Sequence, residues 1–212
     1  MIFMGRNLDP KCKQCRRFGE KLFLKGERCF GIKCAMVKKN YLPGLHGQKG
    51  FRRESEYAKQ LQAKQKAKKI FRIQEKQFQN YFTKAGKMKG NISINLLTLL
   101  EKRLDNVIYR IGLAESRDKA RQLVSHAHFY VNGKKVNIPS YELKEKDEIT
   151  VREKSKSMSV FGGVFDNIKS SNIPEWLDYD GEKQIAKVVG EPGEKDFDQA
   201  IDARLIVEFY SR

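Results

Sequence analysis

All four cysteines of this 212-residue chain fall between Cys12 and Cys34, spaced C-x2-C-x13-C-x4-C. No other feature restricts the backbone as tightly. Four thiols this close admit two disulfides, a redox C-x-x-C pair, or one tetrahedral metal site. Disulfide frameworks belong to short secreted chains. The opening stretch MIFMGRNLDP has no apolar run of secretory length. A redox C-x-x-C opens a helix after a strand, and no strand pattern precedes Cys12. Two close pairs joined by a loop suit a single ion, because each pair turns both sulfurs toward one point. Cys12, Cys15, Cys29 and Cys34 are therefore expected to hold a structural metal, zinc in preference to an iron–sulfur cluster. Four sulfurs leave no open coordination position, so the metal is not expected to catalyse. Arg16, Arg17, Arg28 and Lys33 stand beside the ligands and can offset the charge of four thiolates around a divalent cation. Leu22–Leu24 offers the knot a small apolar floor.

The net charge of +17 sits in one half of the chain. Residues 1–100 carry 24 Lys and Arg against 6 Asp and Glu, a net of +18, whereas residues 101–212 carry 19 against 20, a net of −1. So much self-repulsion calls for a polyanion, and nucleic acid is the usual one, since Lys and Arg gain by releasing counterions from phosphate. A membrane partner is not expected. No basic helix has a strong apolar face, and no stretch approaches the roughly 18 apolar residues of a span. The expected setting is soluble and cytoplasmic.

Beyond the cysteines, Pro43–Gly50 reads as an irregular loop ending in the cations Lys49, Arg52 and Arg53. Ser55 is placed to cap a helical stretch free of Pro and Gly that runs from Glu56 to about Ala85. Its nearly all-polar middle predicts two helices with a bend near Phe71–Ile73. Lys59, Lys64, Lys66, Lys68 and Lys69 form a cationic face with few acids interleaved, read as a nucleic-acid contact rather than a solvated surface. Leu96, Leu97, Leu100, Leu104, Val107, Ile108 and Ile111 then recur at helical spacing up to Gly112, predicting one helix. Ser116 caps the next. Phe129-x-Val131, Asn132-Gly133 and Val136-x-Ile138 spell a tight hairpin, and a further strand is expected at Ile149–Val151. Residues 101–155 thus read as two helices on a small, mostly antiparallel sheet. The Ser/Gly-rich stretch 155–172 reads as an excursion, IPEWLDYDGEKQIAKVV as a strand pair, and FDQAIDARLIVEFYSR as a helix with a β-rich tail. No P-loop, HExxH or nucleophile elbow is present, so no enzymatic activity is expected.

PGLHGQKGFRRESEYAKQLQAKQKAKKIFRIQEKQFQNYF, LLEKRLDNVIYRIGLAESRDKARQLVSHAHFYVNGKKVNIPSY and LIVEFYSR together resemble the bacterial-type small-subunit ribosomal protein four family, in order and across nearly the whole chain. One departure is Phe71-Arg72, where the family often has an aromatic–glycine pair. The resemblance implies an α+β protein: a metal-bound N-terminal knot (1–45), a basic helical domain (46–100, completed by 175–212), and a small RNA-binding domain (101–174) of two helices on a mostly antiparallel sheet. It implies a cytoplasmic, ribosome-bound constituent that binds small-subunit ribosomal RNA at a 5′-domain junction, nucleates assembly and contributes to translational accuracy. It also implies contact with small-subunit protein five, and action on mRNA where it enters the subunit through Lys49, Arg52 and Arg53. Some members of the family carry four cysteines in this spacing.

The residues expected to touch RNA are Arg16 and Arg17 in the knot, the five lysines of the basic helix, and Arg103, Arg117, Lys119 and Arg121. The last four lie near the backbone amides of a helix start, which suit phosphate. His126 joins them because SHAHF matches the family's RNA-facing turn. Two other classes remain open: the RNA-binding module of an RNA-modifying enzyme, and a zinc-knot regulator of nucleic acid.

Overall fold

The computed structural model describes residues 7–50, 54–165, 168 and 173–212. Backbone proximity divides the chain into two units, Met1–Leu96 with Gln199–Arg212, and Leu97–Asp198. Among the described residues no helix is long and apolar enough to cross a membrane.

The first unit begins with α1 (Lys11–Phe18), which Pro10 opens and Gly19 closes in a left-handed conformation. A 3-10 turn (Gly26–Cys29) and the single turn α2 (Ala35–Lys38) follow. α3 (Glu56–Ile70) starts where expected: the Ser55 hydroxyl accepts the Ala58 N–H at 3.3 Å. Its buried stripe is Gln60, Lys64, Ala67 and Ile70, a helical spacing that polar side chains hide from any hydropathy reading. The chain breaks at Phe71-Arg72 before α4 (Glu75–Lys87). Arg72 sits at φ +57°, the left-handed region that a glycine enters freely and that costs a side-chain-bearing residue about 1–2 kcal/mol. Its guanidinium donates to the Asn7 carbonyl at 2.7 Å, which offsets part of that cost. α9 (Ala203–Tyr210) packs on α3, with Phe209 against Tyr57 and Tyr210 stacked on Phe82 at 4.5 Å between ring centroids. The expected β-rich tail is thus helix. Asp202 accepts the N–H groups of Arg204 and Leu205, and this cap together with one apolar face overrides the β propensity of Leu-Ile-Val.

The predicted single helix up to Ile111 is two, α5 (Ile92–Glu101) and α6 (Leu104–Ile111). The cause lies in the segment 139–143. Leu143 N–H donates to the Lys102 carbonyl at 2.9 Å, Leu104 N–H to the Tyr141 carbonyl at 2.9 Å, and Asp105 N–H to the Pro139 carbonyl at 3.2 Å. These bonds replace helical ones and extend Arg103. Gly112, at φ +96°, ends α6, and Ser116 caps α7 (Arg117–Ser125) by accepting from Lys119 N–H.

The sheet of this second unit runs β2 (Lys134–Val136), β1 (Phe129–Val131), β3 (Glu148–Val151), β5 (Ile185–Val188), β4 (Leu177–Asp180), antiparallel throughout. Asn132 and Gly133 make the predicted hairpin turn, and their φ of +50° and +73° are those of type I′. Residues 175–198 were expected to complete the helical domain. They instead carry β4 and β5, which cover the exposed edge of β3 with Ile149 opposite Ala186. Only residues 199–212 return to the first unit. The sheet buries Phe129, Val131, Ile149, Val151, Ala186 and Val188 against α6 and α7. Of the stretch expected to form an excursion, the part up to Phe161 is pinned: a short helix, α8 (Glu153–Lys156), runs into it, and Phe161 is only 1% exposed, its ring meeting Phe129 edge-on. The architecture is α+β, a helical unit and a helix-on-sheet unit.

Candidate nucleic-acid interface

Cys12 and Cys15 lie on α1, Cys29 ends the 3-10 turn and Cys34 immediately precedes α2. All four line one cavity of about 20 Å³, together with Leu24 and Met36. Cys15, Cys29 and Cys34 are each 8% exposed, and none of the four is in a disulfide. The Lys25 N–H donates to Cys29 Sγ at 3.3 Å. Burial pushes the Cys15 thiol above its ordinary range; the Leu22 backbone works against this, and the three neighbouring thiols add to it. Yet among the described residues no group of three or more His, Cys, Asp or Glu side chains is placed to hold a metal ion. The spacing gathers the four thiols around one small space.

The cations beside the cysteines divide. Arg16 is spent on the fold: Nε donates to the Tyr41 carbonyl at 2.9 Å, Nη2 to the Leu42 carbonyl at 3.1 Å, and the guanidinium covers the Tyr41 ring. Arg17 is exposed, as is Lys49. Arg52 and Arg53 lie outside the described residues.

The lysine face of α3 differs from its sequence reading. Acids near in sequence and acids far from it both pair with this face. Lys59 pairs with Glu56 at 2.7 Å, Lys66 with Glu20, Lys69 with Asp9 at 3.4 Å, and Lys68 with Glu75. Lys64 is buried, its ammonium 2.7 Å from Glu75 and over the Phe209 ring at 4.2 Å. Burial opposes the charge on Glu75, but hydrogen bonds from Lys64, Lys68 and Tyr210 outweigh it and hold the carboxyl down at about 2. Lys64 is a structural residue here, because reaching RNA would strip Glu75 and the Phe209 ring of their cation.

The second unit repeats the pattern. Arg103 is 1% exposed, and its Nε and Nη2 meet Asp105 at 3.0 and 2.7 Å. Arg121 reaches the same carboxylate at 3.2 Å. Arg117 donates to Asn106 Oδ1 at 2.8 Å, lies 3.5 Å from Asp198, and covers the Tyr109 ring. Asn106 in turn donates to Glu101, which also takes two bonds from Arg110. The start of α7, expected to offer amides to phosphate, is buried at Ser116, Arg117 and Asp118. Arg103 and Arg117 therefore build the domain, and Arg121 is half-buried with them. Lys119 is half-exposed and paired with Glu115 at 2.7 Å. His126 is exposed; its neighbour His128 meets Ser155 Oγ at 2.9 Å, and burial followed by the charges of His126 and Arg152 lowers its pKa.

The exposed cations are others. Lys134 and Lys135 follow the hairpin turn, Lys144 and Lys146 lie on the loop before β3 and Lys154 on α8; all five are exposed and none is ion-paired among the described residues. The signal for Lys134 and Lys135 is in the sequence: a type I′ turn projects from the sheet, and NGKK puts two charges just beyond it.

Residues 6–101 match the family described as "Ribosomal protein S4/S9 N-terminal domain", and residues 102–149 match the S4 domain. The chain is 50% identical to a "Small ribosomal subunit protein uS4" of Desulforamulus reducens, over 99% of this chain and 100% of that protein. The proteins of the same description from Clostridioides difficile and Thermus thermophilus are 51% and 47% identical over the same shares. The chain belongs to the uS4 family. The first match ends with α5, and the S4 match begins at the break before α6. β4 and β5 lie beyond the S4 match yet complete its sheet.

Proposed function

We propose that this chain is a structural constituent of the small ribosomal subunit that binds the subunit's RNA, and not an enzyme. The observation that carries the reading is identity of about half the residues, end to end, with relatives named small ribosomal subunit protein uS4. The exposed lysines of the hairpin and the unpaired cations of the N-terminal segment support it. Distributed cations suit an RNA recognised by shape and backbone. Co-sedimentation at physiological salt tests it: the chain is expected with the small subunit, and recovery only among free proteins defeats the reading.

Finer parts rest on the family resemblance: a 5′-domain junction as the RNA target, protein five as neighbour, and mRNA contact where it enters the subunit, with Lys49 exposed as such a contact requires. Zinc is a further part. The chemistry of the donor set fits it: four thiols share a cavity of about 20 Å³, room for one small ion. Cys12, Cys15, Cys29 and Cys34 would hold it, and zinc bound there would stabilise the thiolates and cross-link α1 to the turns that follow. Metal analysis of reduced protein is expected to find one zinc per chain; iron with a visible absorbance band would point to an iron–sulfur cluster instead.

A further inference from the structure

Between Lys21 and Lys39 the chain sets six cations, Lys21, Lys25, Arg28, Lys33, Lys38 and Lys39, against one acid, Glu27. All six are exposed and none is ion-paired among the described residues. Among them stands an aromatic pair. The rings of Phe23 and Phe30 lie 5.0 Å apart between centroids, tilted by 31°. Phe30 is 74% exposed and Phe23 38%, while Leu22 and Leu24 on either side of Phe23 are buried. Phe23 also holds φ +48°, a conformation that strains a bulky residue and favours glycine or asparagine. Phe30 leaves most of its surface to solvent beside that strained backbone. Strain of this kind collects where a surface has a task.

We infer that the Phe23–Phe30 pair is a stacking platform for an unpaired nucleobase, with the surrounding cations taking the flanking phosphates; this rests on the RNA-binding reading above. Two observations select the occupant. Six cations against one acid select a polyanion over an apolar protein face. Open aromatic faces select a splayed-out base over a duplex, whose bases are already stacked.

The test uses the intact chain and a transcript of small-subunit rRNA, titrated at several salt concentrations. Phe30→Ala is expected to weaken binding about tenfold, the worth of one base–aromatic stack. The slope of log K against log salt should not change, because no phosphate contact is lost. Arg28→Ala is the contrast, making the slope shallower by about one. Phe30→Trp is expected to keep the affinity and to lose fluorescence on RNA addition relative to the wild-type signal from Trp176, whereas Phe30→Leu does not restore binding. Phe23→Gly removes ring and strain together, so affinity falls while the melting temperature does not. Phe30→Ala and Phe30→Leu binding like wild type, or unquenched Phe30→Trp in the bound state, overturns the platform. A wild-type chain that fails to bind the transcript overturns the RNA-binding reading along with it. Wild-type binding indifferent to Phe30 overturns the platform alone.

Discussion

Asp105 shows how a single side chain can convert expected RNA contacts into architecture. It is 4% exposed and takes both Arg103 and Arg121. Removing one partner of a buried pair leaves the other charge desolvated, at a cost of about 3–5 kcal/mol. Asp105→Ala is therefore expected to lower stability by about that much in denaturant unfolding, and a change under about 1 kcal/mol would show that the pair is worth no more than an exposed one. Gly47 makes the matching argument for the loop that carries Lys49. A Cβ on Gly47 would lie 1.8 Å from the Leu42 carbonyl oxygen, the same oxygen that accepts from Arg16. Backbone on both sides cannot yield cheaply. Gly47→Ala is expected to destabilise by about 1–3 kcal/mol, as overpacking does, and to raise amide exchange around 41–49.

The α3–α4–α9 assembly gathers its polar contacts on Glu75, which takes Lys64, Lys68 and the Tyr210 hydroxyl. Its carboxyl is held at about 2 against an ordinary value of 4.5. A depressed carboxyl stabilises the fold above its unfolded pKa and loses that contribution as pH falls toward its folded one. The melting temperature is therefore expected to drop between about pH 4.5 and pH 2, and Glu75→Gln to flatten that part of the profile. An unchanged profile would remove Glu75 from this role. Elements of this kind were only half legible in the sequence. Ser55, Gly112, Ser116 and Asn132-Gly133 act locally, through caps and turns, and each could be read from its neighbours. The break at Lys102-Arg103, the helical tail and the sheet edge covered by β5 depend on partners 35 or more residues away in the chain, such as Tyr141 for Leu104 and Ala186 for Ile149. Folding likewise hid the fate of the lysines: Lys66 meets Glu20, 46 residues away, and Lys64 meets Glu75 across the break between α3 and α4. The hairpin cations Lys134 and Lys135 were legible in principle, as charges beyond a projecting turn.

Across the whole molecule, charge and core are distributed differently, and each distribution predicts a measurement. RNA affinity is expected to fall steeply with salt, with Lys134→Ala and Lys135→Ala each reducing the slope by about one. Lys64→Met should leave it unchanged, because that ammonium already faces Glu75 and Phe209; equal slopes for all three would contradict this division. The core predicts the effect of metal. Between residues 11 and 41 the buried apolar side chains besides cysteine are Leu22, Leu24 and Met36, too few to hold such a segment by burial alone. In a segment like this, metal-binding free energy becomes folding free energy. The Leu97–Asp198 unit has the large core of α6, α7 and the sheet. A chelator is therefore expected to raise amide exchange and proteolysis within 11–38 while protection in β1, β3 and α6 stays as it was. Cys15→Ser should reproduce the chelated pattern without chelator. Equal protection in 11–38 with and without chelator, in protein whose metal has been measured before and after, would mean that the thiols pack as small apolar groups and that the segment is held by Arg16 on the Tyr41 and Leu42 carbonyls instead.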